Sequence, residues 1–496
     1  MAGLVSQELQ AAGYLVKHAG LSEMLSAARE GPSSADASIS ADEIPVERMF
    51  SQALAGASLP LNGFIYIASK DAGHKTDIFS DSEISALKTV FLCAKYFARM
   101  FKPETGPGFF VSAARIDGRL GLGKGGHAIQ GGLFGLHKSV GIEWQGAILS
   151  KAVDLDPEMA PDKAARYLTE EILTAGYNHM EVGRPPDGGR CTLGLIENYP
   201  GADLRDKGPE HSDVLLITGG GRGITAQCAI RLAQSYNCGF ILLGRTELNT
   251  NIGWAKGYRD RATLRKLAIG MSSAALKPSE VEKLVDTALH QTEALDTLSA
   301  IQAAGGRVRY AACDVRDTER LRDAIRACEA ELGPVTGLVH GAGNIADKRI
   351  QRKTSEDFNN VFGSKIGGLG SCLRCINPGK LKYLILFSSI AGYFGNAGQS
   401  DYAMANEVMN KFAYAFKREH PACKAISINW GLWDGGSMAS DSIRNAIKGS
   451  EIRLIPVETG TDYFIGQFAY KQKPGACQVV INCGDRLIRP DIGLHE

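Results

Sequence analysis

Between Val214 and Ser235 the chain passes from a short apolar run, Val214 to Thr218, through four glycines in five residues, to a helical pattern over Ala226 to Ser235. A strand that turns into a helix with no polar loop between them belongs to α/β architecture, in which helices cover a parallel sheet. The glycines also leave room for an anion, because bare N–H groups at a helix N-terminus can approach a pyrophosphate. Such a loop alone is a weak signal, but lying between strand and helix it is a strong one. Thr218, Gly219, Gly221, Arg222, Gly223 and Ile224 are the expected dinucleotide contacts. The next strand, Phe240 to Leu243, ends in Gly244-Arg245. An acid there would bind a ribose 2′-hydroxyl, whereas arginine suits a 2′-phosphate, and Arg222 adds a second cation. NADPH is therefore the expected cofactor.

A second stretch carries chemistry. Leu384 to Asn406 reads LILFSSIAGYFGNAGQSDYAMAN. It opens as a buried strand, breaks at Ser388-Ser389 into a Gly-rich loop, and restarts as a helix near Tyr402. Ser389 lies thirteen residues before Tyr402, Asn406 one helical turn after it, and Lys365 twenty-four residues before Ser389. Reducing a ketone places negative charge on its oxygen, so the site must donate hydrogen bonds and finally a proton there. A phenol near pKa ~10 is a weak acid at neutral pH, and a nearby ammonium would lower that value. Lys365 is the expected ammonium. Ser389 is expected to hold the oxygen, Tyr402 to protonate it, and Asn406 to anchor a water or orient Lys365.

This spacing resembles the short-chain dehydrogenase/reductase superfamily. The usual member has Lys four residues after Tyr, where this chain has Asn406. The exchange resembles the ketoreductase domains of polyketide synthases. The TGGGRGIT and HGAGNIADK motifs, with an insertion between Arg245 and the strand at Val308, resemble the ketoreductase domain of polyunsaturated fatty acid synthases more closely. INWGLW, Ile428 to Trp433, also matches. The resemblance implies adenine contacts from Asp314 and Val315 and a cofactor-lining turn at Gly341, Ala342 and Gly343. It departs at Thr225, where the superfamily usually has another Gly. It implies NADPH-dependent reduction of a β-ketoacyl thioester to the 3-hydroxyacyl thioester, with an acyl carrier protein or carrier domain as partner. Other synthase domains or subunits are further expected partners. Asn344-Ile345-Ala346-Asp347 keeps part of the Leu-Asp-Asp motif that accompanies 3R products, and Phe394 stands where the opposite entry side has Trp. Two alternatives stay open: a non-catalytic scaffold within a synthase, and a stand-alone reductase of small ketones.

The earlier part of the chain repeats the same order of elements. Strand, Gly-rich loop, helix and strand span forty residues from Phe110 to Ser150 and forty-two from Ile385 to Ser427. A helix over 80–101 precedes the first copy, and one over 355–376 precedes the second. The first copy has no Tyr matching Tyr402 and no Gly-rich strand-to-helix turn, and its His127 stands alone. The expected fold is therefore α/β, with two Rossmann-like subdomains and parallel sheets. Residues 1–205 form a degenerate, cofactor-free structural half and 212–490 a catalytic half. Residues 31–44 read as an exposed loop and 201–213 as a charged linker. Net charge is +1, so nothing favours nucleic acid or a membrane surface. Eleven cysteines are scattered, and the one C-x-x-C, Cys372 with Cys375, lacks a second pair, so no metal is expected. Reduced thiols, no signal-like N-terminus and no span of ~18 apolar residues fit a cytoplasmic protein.

Overall fold

A computed structural model describes residues 1–17, 40, 43–54, 61–70, 78–124, 126–174, 176, 178–197, 205–248, 252–271, 276–435, 444–445, 453–481 and 490–495. Most of the 31–44 stretch and residues 201–204 of the linker lie outside these.

Four parallel strands form the first sheet: β1 (Gly63–Ile67), β2 (Gly108–Ala114), β3 (Ile148–Leu155) and β4 (Glu181–Arg184), adjacent in that order. The remaining strands are β5 (Thr192–Glu197), β6 (Val214–Thr218), β7 (Gly239–Gly244), β8 (Arg307–Ala312), β9 (Gly337–His340), β10 (Tyr383–Ser389) and β11 (Lys424–Trp430). After them come β12 (Trp433–Asp434), β13 (Ile455–Pro456), β14 (Gln478–Ile481) and β15 (Pro490–His495). β12 and β13 pair with each other; the rest make a nine-stranded sheet ordered β5-β15-β14-β11-β10-β9-β6-β7-β8. Its strand order reverses between β6 and β9, where Thr218 sits opposite His340. Ligands of open parallel sheets bind at the carboxyl ends of strands beside such a reversal.

Several expectations need correction. β5 falls within the 1–205 half by sequence, yet it pairs antiparallel with β15 at the edge of the nine-stranded sheet. The loop after Ser389 is partly helical, over Ile390–Phe394, because Ser389 Oγ accepts the Ala391 N–H at 3.2 Å and caps the turn. The helix expected over 355–376 is broken into Ser355–Phe362 and Gly368–Cys375 by a wide turn of π geometry, Gly363–Gly367. Such bulges recur at functional sites, and this one carries Lys365. The helix expected over 80–101 is borne out as Asp81–Met100, capped reciprocally by Ser80 and Glu83. The insertion after β7 folds as two helices, Arg261–Met271 and Pro278–Ala303.

The two halves share a core. Phe91, Phe110 and Phe134 of the first join Leu384, Met404 and Phe412 of the second in one apolar cluster. Ring pairs cross the boundary, Phe91 with Phe358 at 5.2 Å and Phe79 with Phe412 at 5.0 Å. Equivalent helices of the two repeats, Gly131–Trp144 and Ser400–Glu419, cross in close contact. A Cβ on Gly135 would stand 2.3 Å from the Ala403 carbonyl oxygen, so only glycine permits this crossing.

Candidate active site

Tyr402 lies in the first turn of helix Ser400–Glu419, and Ser389 closes β10. The wide turn aims Lys365 across the end of β10, where Nζ donates to the Phe387 carbonyl at 3.0 Å and lies 5.1 Å from the centre of the Tyr402 ring. Asn406, one turn beyond Tyr402, donates through Nδ2 to the Tyr402 carbonyl at 2.8 Å. Its buried Oδ1 has no hydrogen-bond partner among the described residues. A buried acceptor left in that state is suited to an added donor such as water. Asn406 is not bonded to Lys365, whose ammonium is held by the β10 carbonyl instead.

The electrostatics reverse one expectation. Burial holds the Lys365 ammonium down at about 7. Burial also raises the Tyr402 phenol above its ordinary value, with hydrogen bonding from Asn406 and Ser389 pulling the other way. Lys365 does not hold Tyr402 below its usual range; withdrawal from water outweighs it. Tyr402 therefore keeps its proton near neutrality.

A neutral histidine ties the two sides of the site together. Thr218 Oγ1 accepts from the Gly341 and Ala342 N–H groups at 3.1 and 3.0 Å and lies 3.0 Å from His340 Nδ1. His340 Nε2 lies 2.8 Å from the Lys365 carbonyl, which can only accept, so Nε2 carries the hydrogen and Nδ1 accepts from Thr218. Burial, with the Lys365 charge adding to it, holds this ring down at about 3.

On the nucleotide side the expected loop opens on a helix starting at Gly223. Gly219 has φ +71 and is pressed against the Gly341 carbonyl, while Gly223 has φ +63 and nothing within 4 Å of a built Cβ. That open space at a helix N-terminus fits a phosphate. Thr225, which stands where the superfamily usually has Gly, is buried against Gly341, where a Cβ would come within 2.6 Å of Thr225 Oγ1. Arg222 and Arg245 are exposed near each other, both acting on His290. Asp314 is engaged by Arg316, at 2.7 Å, and Val315 is buried next to it. Gly343 is packed on Lys365. The residues present thus fit a dinucleotide phosphate.

Sequence reading missed the supports. Asp401 is buried beside Tyr402, accepts its N–H at 2.8 Å and pairs with buried Lys353. Glu143 of the first half accepts from Gly398 and Ile350 N–H at 2.9 and 2.8 Å, fixing the loop that precedes Tyr402. Buried Glu407 lies between Lys138, at 3.6 Å, and Lys411, at 2.8 Å. The i,i+4 spacing of Glu407 and Lys411 was visible in sequence, but such pairs are usually solvated. Among the described residues no His/Cys/Asp/Glu group could hold a metal, and no helix is long and apolar enough to cross a membrane.

A family model described as KR domain matches residues 214–435. One component of the polyunsaturated fatty acid synthase of Thraustochytrium is 35% identical over 371 residues, covering 71% of this chain and 13% of that protein. Polyketide synthase PksN of Bacillus subtilis is 27% identical over 360 residues, covering 71% and 6%. The chain thus spans a small part of these curated relatives. Among solved structures, an N-terminal ketoreductase from the macrolactin assembly line has TM-score 0.64 at 20% identity, covering 90% of this chain and 77% of that one. A-type ketoreductases from a modular polyketide synthase give TM-score 0.65 at 20% identity, covering 94% and 86%. At that identity the structures speak to fold alone, which is α/β with parallel sheets in the Rossmann manner. Over residues 214–435 the chain matches the KR domain family, and the curated relatives that align with most of its length are polyunsaturated fatty acid and polyketide synthases.

Proposed function

We propose that the chain reduces β-ketoacyl thioesters, carried on an acyl carrier protein or carrier domain, to 3-hydroxyacyl thioesters with NADPH. It would do so in the cytoplasm, within or beside a larger synthase, with 212–490 as the catalytic half and 1–205 holding it in shape. The observation that carries the reading is the gathering of Ser389, Tyr402, Lys365 and Asn406 at the carboxyl end of the sheet, beside the glycine-lined helix N-terminus.

Thr218, Gly219, Gly221, Arg222, Gly223 and Ile224 would hold the cofactor phosphates, Arg245 the 2′-phosphate, Asp314 and Val315 the adenine side, and Gly341 to Gly343 the turn beneath it. Bound NADPH supplies the hydride. Ser389 Oγ accepts from the Ala391 N–H and is within hydrogen-bond reach of Tyr402, so its hydroxyl would turn to a ketone oxygen bound between them. Tyr402, still protonated because it is buried, donates its proton as charge builds on that oxygen. The open Asn406 Oδ1 can anchor a water beside Lys365 for reprotonation.

Turnover of a β-ketoacyl thioester surrogate with NADPH tests this. Tyr402→Phe keeps the ring packing and should lower kcat by about 10²–10⁴-fold, the usual worth of a general acid, with NADPH affinity retained. Near-normal turnover of that variant would place the chemistry elsewhere. Wild type that binds NADPH without turnover would favour a scaffold.

A further inference from the structure

The insertion between β7 and β8 reaches the nucleotide loop. Its long helix, Pro278–Ala303, presents His290, Ala294 and Thr297 at i, i+4 and i+7, one face of a helix. Thr297 is buried, and its Oγ1 lies 3.2 Å from the Gly221 carbonyl and 2.8 Å from that of Glu293. The Ala294 methyl is 3.7 Å from where a Gly221 Cβ would stand. One turn earlier, Arg222 Nη1 donates to His290 Nε2 at 2.7 Å.

We propose that this helix is a brace for a 2′-phosphate subsite, and that His290 is a specificity-determining residue which aims the Arg222 guanidinium at that phosphate. The proposal rests on the NADPH reading above. The charged groups acting on His290 are Arg222, Arg245 and Arg261 from neighbouring elements and Asp286 from its own helix. Arg261 is already occupied by ion pairs with Asp286 and Glu282. Arg222 and Arg245 thus remain to face a dianion. Burial first, then Arg222, holds the His290 ring below its ordinary value, so it stays neutral at pH 7 and its Nε2 lone pair can accept. An exposed arginine gives up rotamer freedom when it grips a ligand; a ring that already holds the guanidinium lessens that cost. Thr297 acts on the loop main chain, which any dinucleotide meets. His290 acts on the side chain that only a 2′-phosphate engages.

Binding constants of the full chain for NADPH and NADH, and for adenosine 2′,5′-bisphosphate and AMP as probes lacking nicotinamide, test the assignment. His290→Ala should weaken NADPH and the bisphosphate about tenfold, the lower end for a hydrogen bond to a charged group. NADH and AMP should stay within about twofold on that account. His290→Gln keeps an acceptor and should recover most of the loss. On an Arg222→Ala background His290→Ala should cost NADPH no further affinity, because the aimed group is gone. Equal losses for NADPH and NADH in His290→Ala, or no loss in a folded variant, would overturn the brace. Should His290→Ala fail to fold, His290→Leu, which keeps bulk and removes the acceptor, decides in the Arg222 and Arg222→Ala backgrounds: a further effect of position 290 without Arg222 overturns the aiming role. A wild type that binds NADH as well as NADPH would instead overturn the cofactor reading itself.

Discussion

Gly135→Ala is a one-atom change in the half without the chemistry, and it should be felt at Tyr402. The new Cβ would stand 2.3 Å from the Ala403 carbonyl oxygen, 2.5 Å from its carbon and 2.7 Å from Met404 N. All three are main chain, so no side chain can swing away. Ordinary contact needs about 3.5 Å, so the two helices must part by roughly 1 Å at the residue that follows Tyr402. Overpacking of this kind costs about 1–3 kcal/mol, and alanine regains about 1 kcal/mol of helix propensity over glycine. The net loss of stability is then about 0–2 kcal/mol, and the chain still folds. Activity should suffer more, because a displacement of about 1 Å at a reacting group can cost on the order of 10²-fold. Urea unfolding and thioester turnover, measured on the same preparation, separate the two effects. Gly270→Ala is the control: it lies in helix Arg261–Met271 with nothing within 4 Å of a built Cβ. Wild-type kcat in Gly135→Ala would show that the helix crossing does not govern where Tyr402 stands, and the reasoning would be refuted.

Three further outcomes are expected. Arg222→Ala and Arg245→Ala should each weaken NADPH binding about ten- to hundredfold with little effect on NADH, the worth of a charge-assisted contact; equal effects on both cofactors would remove the 2′-phosphate assignment. His340 has a folded value of about 3 against 6.5 when free, so its contribution is present above pH 6.5 and is lost as pH falls. Between pH 6 and 4 the stability of wild type minus that of His340→Gln should fall by about 1.4 kcal/mol per pH unit, and parallel urea curves would exclude this. The 3-hydroxyacyl product should be 3R by chiral chromatography. Asp347 is held by Gln399 at 3.1 Å and so is not a loose loop acid, and Phe394 is half-exposed eight residues before Tyr402. Predominantly 3S product would remove that assignment and leave the reductase reading intact.

What the chain announced in advance was local. Strand, glycine run and helix at 214–235 follow one another directly, and Ser389, Tyr402 and Asn406 sit on one strand–helix unit, so spacing alone indicates their neighbourhood. The supports were not local. Lys353 and Asp401 are 48 residues apart, and Glu143 meets the Ile350 N–H across 207. No periodicity tells which buried acid will find which buried base. The pKa expectation for Tyr402 failed for a related reason: residue types show which charges are near, but not how far the fold has removed them from water. His290 lies in the insertion between Arg245 and Val308, and nothing local in the sequence singled it out. Its meaning came from the 68 residues that the fold closes between it and Arg222.

The pairing of β5 with β15 wires the two halves together a second time. The segment that leaves the small sheet ends its path hydrogen-bonded to the last described strand, from Thr192 opposite His495 to Glu197 opposite Pro490. The connection between residues 197 and 205 is therefore not the only tie between the halves. A protein cut there would keep its non-covalent seams, among them the β5–β15 ladder, the glycine-lined helix crossing and the shared aromatic core. Such a chain is suited to fragment complementation: two polypeptides, 1–197 and 205–496, expressed together, should reassemble into one particle by themselves.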